Sequence, residues 1–229
     1  MKTLCTICMR GGSKGVKGKN LRLLNGKPLM EYTIEQALKS NIFEDIIIST
    51  DSPEIANIAK NMGLDVWFLR PKELSHDKAG KIPAIIHALH EAEKYFKKKY
   101  THVVDLDATS PLRKVDDISE AMHKFISEKA ENLVTVCLAR KNPYFNMLEY
   151  VKKELKLVKS LDNPIYRRQD APIVYEMNAS IYIWKRSCLL DKKPLISKKT
   201  SHYIMPEERS IDIDTESDFK YVEYLMKYN

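Results

Sequence analysis

The sequence has no apolar segment of the length that crosses a membrane, and its first residues do not form a signal peptide. The apolar stretch 3–9 follows Lys2 and runs directly into Arg10. A membrane-spanning helix needs about 20 apolar residues, and a signal peptide has a different layout of charge and apolar length. We therefore predict a cytoplasmic protein that has no membrane partner.

Cysteines are few, and their spacing predicts neither disulfides nor a zinc site. The four are Cys5, Cys8, Cys137 and Cys188, which suits the reduced thiols of a cytoplasmic protein. Cys5 and Cys8 form a C-x-x-C motif inside a predicted strand, where residues three apart point to opposite faces. No second pair of cysteines or histidines follows at ligand spacing. We therefore expect the cysteines to act as small apolar side chains.

Composition indicates one globular domain without repeats or low-complexity segments. The chain has 229 residues, of which 44% are hydrophobic, and this is enough for a sizeable core in a single domain, 1–229. The formal net charge is +7, from 38 basic and 31 acidic residues. Because the lysines are scattered and not interleaved with aromatic residues, the charge does not predict a nucleic-acid partner.

Short apolar strands alternate with amphipathic helices along most of the chain. The patterns predict strands at 4–9, 45–49, 65–69, 102–106, 133–138 and 180–184, and helices at 29–39, 53–62, 82–98, 115–127 and 216–227. This alternation predicts an α/β fold, with a doubly wound, mostly parallel, Rossmann-like sheet. Ligands bind such sheets at the carboxyl ends of the strands.

The alternation stops between residues 139 and 178. This stretch contains a hairpin-like pattern at 148–158, with Lys152 and Lys153 at its centre, and then a segment with arginines and prolines. It offers no helix that could cover the main sheet. We therefore predict a small inserted segment, 139–178, within the single domain.

A glycine-rich, basic loop follows the first strand. Residues 9–20 contain four glycines, Ser13, and four cations at positions 10, 14, 17 and 19. Glycines let the backbone approach a ligand closely, and the amides and cations suit a triphosphate. The loop is not a Walker motif, because Asn20 follows Lys19, and no helix starts directly after it as in a dinucleotide fingerprint. A flexible basic surface loop is the alternative.

Two pairs of aspartates are candidate ligands. Asp212 and Asp214 alternate in a predicted strand at 211–214, so their carboxylates would project to one side. They repel each other unless a cation joins them, and Mg²⁺, or else Mn²⁺, binds both carboxylates and phosphates. The alternative is that Asp214 caps the last helix. Asp105 and Asp107 form a second D-x-D motif at the end of a central strand.

Six motifs, in order along nearly the whole chain, resemble one family. They are the loop 10–20 with Gly-Lys-Pro-Leu at 26–29, and residues 49–56, 69–77, 109–113, 178–183 and 211–216. The chain is similar in these motifs to the CMP-nonulosonate cytidylyltransferases, which are the CMP-sialic acid synthetases and their relatives for legionaminic and pseudaminic acids. The resemblance implies a fold of the nucleotide-diphospho-sugar transferase type. It also implies a homodimer in which the inserted segment reaches across to the other copy.

The resemblance further implies roles for individual residues. Those implied for the nucleotide are Arg10, Gly12, Ser13, Lys19, Asn20 and Arg70, with Arg10 and Lys19 also catalytic. Those implied for the sugar acid are Asp107, Thr109, Ser110, Arg168, Asn178 and Tyr182. Asp212 and Asp214 would hold the metal, and Asp212 is also the candidate base. For Tyr182, packing in the sheet is an equally good explanation.

The implied reaction is attack by the anomeric hydroxyl of a sialic-type sugar acid on the α-phosphorus of CTP, which releases pyrophosphate and forms a CMP-sugar. The particular sugar acid stays open. Asp107 departs from the family, which more often has a sugar-contacting Gln there, and an aspartate would repel the carboxylate of N-acetylneuraminate. Ala179-Ser180 also replaces the Gly-Ala of the family, which is a mild change.

Three other functions are compatible with parts of the sequence. A Kdo cytidylyltransferase typically opens with Arg-x-x-Ser-Thr-Arg-Leu-Pro-Gly-Lys-Pro, which the loop 10–20 matches less well. A metal-dependent glycosyltransferase would explain Asp105 and Asp107, but not the basic loop or the acids at 212 and 214. A nucleotide- or RNA-binding module without catalysis would leave those paired acids without a role.

Overall fold

The computed structural model describes residues 1–191 and 194–228, and these contain a central six-stranded sheet. Its strands are, in spatial order, Thr200–Ile204 (β10), Asn132–Leu138 (β6), Tyr175–Lys185 (β9), His102–Leu106 (β5), Thr3–Cys8 (β1) and Asp45–Ser49 (β4). All neighbours are parallel except β9, which runs antiparallel to both β5 and β6. The predicted mostly parallel α/β sheet is confirmed.

Helices cover both faces of this sheet. They are Leu29–Ser40 (α1), Pro53–Asn61 (α2), Lys81–Tyr95 (α3), Val115–Ser127 (α4), Arg186–Leu190 (α5) and Glu216–Tyr228 (α6). Alternate residues of β1 enter opposite layers of the core. Cys5 packs with α1, α2 and α4, whereas Leu4 packs with α3 and α5. Cys8 also packs on the α3 side, so the two cysteines of the C-x-x-C motif face opposite ways as predicted, and both are free thiols.

The predicted strand at 65–69 is wrong. These residues are irregular, although Val66 is buried beside α1 and α2, and Trp67 stacks on Tyr95 of α3 with ring centroids 4.0 Å apart. The segment returns to the sheet only at its end, where Arg70 N donates to Thr50 O at 2.7 Å. Its apolar residues are therefore explained by packing against helices, not by pairing with β4.

The predicted strand at 211–214 is also wrong. Ile213 N donates to Thr109 O at 3.0 Å, but within residues 1–191 and 194–228 the segment pairs with no strand. Ile213 is fully buried beside Phe219 and Val222 of α6. The alternating pattern therefore arises because the buried Ile213 anchors a segment without regular structure to α6.

Strand β9 carries a bulge next to the predicted site. Its register against β6 shifts between Val134 and Val136, and Ala179 has a φ of 55° there. This left-handed region favours glycine, because a Cβ is crowded by the backbone. The replacement of the family's Gly by Ala179 is therefore less mild than the sequence indicates. The bulge turns Asn178 and Ser180 into buried positions.

The predicted hairpin lies outside the main sheet. It consists of Leu148–Val151 (β7) and Glu154–Leu157 (β8), and every residue of both strands is exposed. Lys152 and Lys153 form its turn, with φ values of 52° and 66°. Pairing with the main sheet resumes at Tyr175, where β9 begins. A second short hairpin, Leu23–Leu24 (β2) and Lys27–Pro28 (β3), precedes α1.

Replacing Glu93 by glutamine will lower the stability of the fold by about 1–3 kcal/mol. Burial opposes ionisation of Glu93, but two hydrogen bonds from Arg186, at 2.7 and 2.9 Å, and one from Lys99 outweigh it and hold the pKa at about 2. A carboxylate with a lowered pKa stabilises the native state above its unfolded value of 4.5, and this contribution is lost as the pH falls from there towards 2.

Chemical denaturation at pH 7 and at pH 3 measures this effect of Glu93. Glu93→Gln should differ from the wild type at pH 7 and approach it at pH 3. Glu91→Gln is the matched control, because it makes the same change on α3 outside this network. An equal loss of stability at both pH values would show that the ion pair with Arg186 does not carry the effect.

Candidate active site

A polar cavity of about 220 Å³ opens at the carboxyl ends of β1 and β5. It is lined by Cys8, Met9, Arg10, Gly12, Ser13, Lys19, Asn20, Asp107, Ala108, Thr109, Asp212 and Asp214. The fold thus brings together the loop after β1, the end of β5 and the segment before α6. A larger cavity of about 550 Å³ between α3 and α5 is mostly apolar and has no comparable group of charges.

The glycine-rich loop is held against the start of α2. Gly11 N donates to Asp51 Oδ1 at 2.9 Å, and a Cβ on Gly11 would lie 3.0 Å from Ser52 Cβ. Ser52 caps α2, and Pro53 stands in its first turn. Asn20 closes the loop, since its Nδ2 donates to Arg10 O at 3.1 Å. The loop is therefore held in place by these contacts. The alternative interpretation, a flexible surface loop, does not agree with the structure.

The loop also touches the acidic segment directly. A Cβ on Gly15 would lie 1.9 Å from Asp214 O, a separation that only a glycine permits. Lys19 Nζ donates to Ile213 O and lies 3.3 Å from Asp214 Oδ1. The Lys19 side chain is only 12% exposed. Lys19 thus joins the glycine-rich loop to the segment that carries Asp212 and Asp214.

Arg10 and Lys14 share one carboxylate. Arg10 pairs with Asp77 Oδ1, and Lys14 Nζ lies 2.5 Å from Asp77 Oδ2. The donors of Lys14 and Arg10 lower the pKa of Asp77. Because this group is exposed, each pair adds little to the stability of the fold. A phosphate that carries more charge can therefore replace Asp77 at small cost.

Thr215 and Asp218, not Asp214, cap the last helix. Asp218 Oδ2 accepts from Thr215 N at 2.7 Å, and Thr215 Oγ1 accepts from Asp218 N at 3.2 Å. This reciprocal pair satisfies the helix start. The carboxylate of Asp214, which is exposed, stays free of the cap and faces Lys19. The capping alternative for Asp214 is therefore contradicted.

Asp212 lies in a crowded acidic environment. Its Oδ1 is buried and has no hydrogen-bond partner in residues 1–191 and 194–228. Burial, followed by the charge of Asp107 and then that of Asp214, raises the pKa of Asp212 to about 6. A carboxylate oxygen without a partner, close to Asp107 and to the glycine-rich loop, is a suitable ligand for a divalent cation. Within the described residues no cluster of three metal-ligating side chains forms, so such a cation would take its other ligands from phosphate and water.

Asp107 is neutralised by a residue that the sequence did not single out. Lys81, at the start of α3, lies 2.7 Å from Asp107 Oδ2 and 2.8 Å from Asp105 Oδ2. Burial opposes ionisation of Asp107, but Lys81 and the Thr109 donors outweigh it and hold the pKa at about 2. No local pattern marks Lys81, because it follows a glycine at an ordinary helix start and precedes Asp107 by 26 residues.

Arg113 and Asn178 do not line the cavity, but they position the backbone around it. Arg113 is 2% exposed and donates to Ser180 O at 2.6 Å and to Thr33 Oγ1 at 3.0 Å. Asn178 Nδ2 donates to Ser210 Oγ at 2.8 Å, next to the acidic segment. Asn178 was predicted to contact the sugar acid, and its observed contact positions the segment that carries Asp212.

Like Asn178, three further predicted sugar residues lie outside the lining of the polar cavity. Ser110 is fully buried. Tyr182 stacks on Trp184, with ring centroids 5.5 Å apart, and its ring lies 5.0 Å from Lys81 Nζ. Arg168 is exposed in the inserted segment and donates to Ala139 O at 3.4 Å. In a single copy of the chain, Arg168 therefore does not meet the other predicted site residues.

Arg70 is a buried cation whose Nε could donate to a polar ligand. It is 7% exposed, and its Nε is buried without a hydrogen-bond partner among the described residues. If Arg70 contacts the nucleotide as the resemblance implies, replacing it by methionine will weaken CTP binding about 10- to 100-fold, through the loss of a charge-assisted hydrogen bond. It will not lower the stability of the ligand-free protein, because it removes an unpaired charge from the interior.

Isothermal titration with CTP and thermal melting of the ligand-free protein together test this role of Arg70. Lys72→Met, which removes an exposed positive charge two residues away, is the control and should bind CTP as the wild type does. Unchanged CTP binding by Arg70→Met, with a lowered melting temperature, would assign Arg70 to the core instead.

Together, the parallel sheet, the basic glycine-rich loop and the acids tied to it define a nucleotide-dependent transferase. The sequence profile of the cytidylyltransferases matches residues 4–228. The chain belongs to the cytidylyltransferase family, and it is therefore a nucleotidyltransferase.

Two relatives match along nearly their whole length. Post-translational flagellin modification protein B of Campylobacter coli is 47% identical over 224 residues, which cover 98% of this chain and 94% of the relative. CMP-N,N'-diacetyllegionaminic acid synthase of Campylobacter jejuni is 46% identical over 223 residues, with 97% and 94% covered. The recognition of the family from six motifs is confirmed.

The fold is shared with a solved structure of low sequence identity. CMP:2-keto-3-deoxy-manno-octonic acid synthetase, complexed with CTP, superposes with a TM-score of 0.73 at 15% identity over 99% of both chains. This likeness supports the Rossmann-like fold. Separately, none of the helices in the described part of the chain is long and apolar enough to cross a membrane.

Proposed function

We propose that this protein activates a nonulosonic acid by transfer of CMP from CTP. The observation that carries the proposal is the junction of the basic glycine-rich loop with Asp212 and Asp214 through Lys19. A triphosphate needs its charge neutralised, and its leaving pyrophosphate needs cationic contacts. The family and the legionaminic acid synthase relative support CTP and a nonulosonic acid as the two substrates.

The nucleotide would lie along the loop after β1. Arg10, Lys19, Ser13 and the amide of Gly12 would bind the triphosphate, and a Cβ on Gly12 would meet nothing within 4 Å, so the backbone is open there. Lys19 would stabilise the charge that develops on the leaving pyrophosphate. Asn20 would contact the ribose or base, and the unpartnered guanidinium of Arg70 offers donors for the nucleotide.

The reaction is a direct displacement. The anomeric hydroxyl of the sugar acid attacks the α-phosphorus, the bond from that phosphorus to the bridging oxygen breaks, and pyrophosphate leaves. Asp212 is the proposed acceptor of the hydroxyl proton, and Thr109 and Asp107 line the same cavity. No covalent bond to the protein is needed.

A divalent cation, Mg²⁺ or Mn²⁺, is the proposed cofactor. Asp212 and Asp214 would hold it, and the buried, unpartnered Oδ1 of Asp212 fits that role. When bound, the cation would neutralise phosphate charge. Asp105 and Asp107 are less suited as its main ligands, because both are paired with Lys81. That pairing also removes the feature that favoured a metal-dependent glycosyltransferase.

Pyrophosphate release tests the proposed reaction. The protein is incubated with Mg²⁺ or Mn²⁺, each of the four nucleoside triphosphates, and a panel that holds N-acetylneuraminate, legionaminic, pseudaminic and Kdo acids. Release with CTP and a nonulosonic acid, abolished by a chelator and restored by Mg²⁺, is the expected result. A folded protein that releases no pyrophosphate with any pair of substrates contradicts the proposal. A preference for Kdo would instead indicate a Kdo cytidylyltransferase.

A homodimer is the proposed cytoplasmic form. The inserted segment exposes apolar side chains, among them Leu148, Tyr150 and Leu155, and carries Arg168 away from the site of its own copy. If Arg168 serves the site of the other copy, mixing the inactive variants Arg168→Ala and Asp212→Asn will restore activity that neither has alone. A monomer by light scattering, or no restored activity after exchange of subunits, contradicts this arrangement.

A further inference from the structure

Lys81 and Asp107 form an ion pair at the edge of the polar cavity. Lys81 Nζ lies 2.7 Å from Asp107 Oδ2, and the two side chains are 33% and 20% exposed. Asp105, which is fully buried and accepts from Thr6 Oγ1 at 2.7 Å, fixes Lys81 from the other side at 2.8 Å. The pair is thus held in place by the core and still reaches solvent. A residue that only balanced the charge of Asp105 would not need the second partner.

The hydrogen bonds of this pair leave one donor and one acceptor for a ligand. A lysine ammonium has three N–H groups. One of them donates to Asp107 Oδ2, and a second side of the ammonium faces Asp105 Oδ2 at 2.8 Å in an ion pair. Asp107 Oδ1 already accepts from Thr109 N at 3.1 Å and from Thr109 Oγ1 at 2.8 Å. Asp107 Oδ2 accepts from Lys81 and keeps one lone pair. A donor and an acceptor therefore stand side by side.

An apolar cavity adjoins the same lysine. It has a volume of about 380 Å³ and is lined by Gly80, Lys81, Ile82, Pro83, Ile85, Tyr182, Trp184 and Leu195. Lys81 Nζ lies 5.0 Å from the centre of the Tyr182 ring, which is within reach of a cation–π contact. The polar pair thus borders a surface that suits a small alkyl group, such as the methyl of an acetyl group.

We propose that the Lys81–Asp107 pair recognises a secondary amide on the acceptor sugar acid, that is, an acylamino substituent. The amide carbonyl would accept from Lys81, the amide N–H would donate to Asp107 Oδ2, and the acyl carbon chain would lie against Tyr182. The inference rests on the proposed function and names the substituent that the site selects. It also answers the charge objection to Asp107, because Lys81 cancels the repulsion of a sugar carboxylate.

The test compares two nonulosonic acids that differ at a single carbon, where one bears an acetamido group and the other a hydroxyl. Such pairs are assayed for each acylamino position, with CTP saturating. The wild type should prefer one acetamido acceptor in kcat/KM by about 10- to 100-fold, since a hydroxyl leaves the charged pair partly unmatched. In Lys81→Met this preference should collapse through a higher KM for the sugar acid, while the KM for CTP is unchanged.

Two further variants guard against a merely structural effect of Lys81. Lys81→Met combined with Asp107→Gln removes the unpaired carboxylate and supplies one donor and one acceptor from a single amide, so it should regain part of the preference. Lys94→Met, on the exposed side of α3, should behave as the wild type in activity and melting temperature.

The outcomes separate the two proposals. A wild type that transfers CMP to no sugar acid contradicts the proposed function. A wild type that transfers CMP equally well to both members of every pair contradicts only the amide recognition. Lys81→Met that keeps the wild-type preference, or that loses CTP and sugar affinity in equal measure, likewise contradicts a role for the pair in selecting the substituent.

Discussion

Replacing Asp212 by asparagine will lower kcat by about a thousand-fold or more, while the ligand-free protein stays folded and becomes no less stable. The loss follows because the amide can neither accept a proton nor hold a cation as the carboxylate does. The stability is kept because burial and the charges of Asp107 and Asp214 raise the pKa of Asp212 to about 6, so the ionised form is unfavourable in the native state near neutral pH. A neutral side chain of the same shape removes that repulsion.

Single-turnover measurement of pyrophosphate release and thermal melting without ligand check this expectation for Asp212. Asp116→Asn is the control, since Asp116 is exposed in the first turn of α4, outside the cavity. Activity of Asp212→Asn within ten-fold of the wild type, or a clear drop in its melting temperature, would remove Asp212 from the chemistry. Loss of activity in both variants would point to a general effect of charge.

Replacing Gly15 by alanine will lower kcat/KM about a hundred-fold and destabilise the fold by about 1–3 kcal/mol. The Cβ would stand 1.9 Å from Asp214 O, which is backbone and cannot rotate away as a side chain could. Either the loop or the acidic segment must therefore move. Lys19 Nζ, which donates to Ile213 O and lies 3.3 Å from Asp214 Oδ1, would lose the spacing that joins the two segments.

Steady-state kinetics and chemical denaturation of the alanine variant test this contact. Lys17→Ala is the control in the same loop, because its side chain is exposed and lies outside the cavity. Gly15→Ala that is as stable and as active as the wild type would mean that the loop and the acidic segment do not need this close approach. A loss that is equal in Lys17→Ala would attribute the effect to loop composition instead.

Local features of the site were predictable because they depend on neighbours in sequence. The loop after β1 could be recognised from glycines and cations within a dozen residues, and the start of α2 from Ser52 and Pro53. The end of β5 placed Asp107 at the carboxyl edge of the sheet, where the cavity lies. In each case the residue types restrict the backbone conformation, so the local geometry can be predicted from the sequence.

Features that depend on distant partners could not be predicted in this way. Lys81 meets Asp105 and Asp107 only because α3 packs on β1, which pairs with β5, and nothing in the residues around Lys81 encodes that packing. Alternation at 211–214 predicted a strand, but these residues are not in a strand, and burial of Ile213 explains the pattern instead. Arg168 is a further case, because it does not line the cavity of its own copy, and only the resemblance links it to the sugar acid.

The contact of Lys19 with Ile213 and Asp214 has a consequence for the order in which the protein is made. The contacting residues are 194 and 195 positions apart, and a ribosome adds about 5–20 residues per second. The basic loop therefore emerges about ten seconds or more before the acids that complete it. During that interval a nascent chain can expose its cations to any cellular polyanion. Catalytic competence therefore depends on the segment before α6, and it is gained only after almost the whole chain has been synthesised.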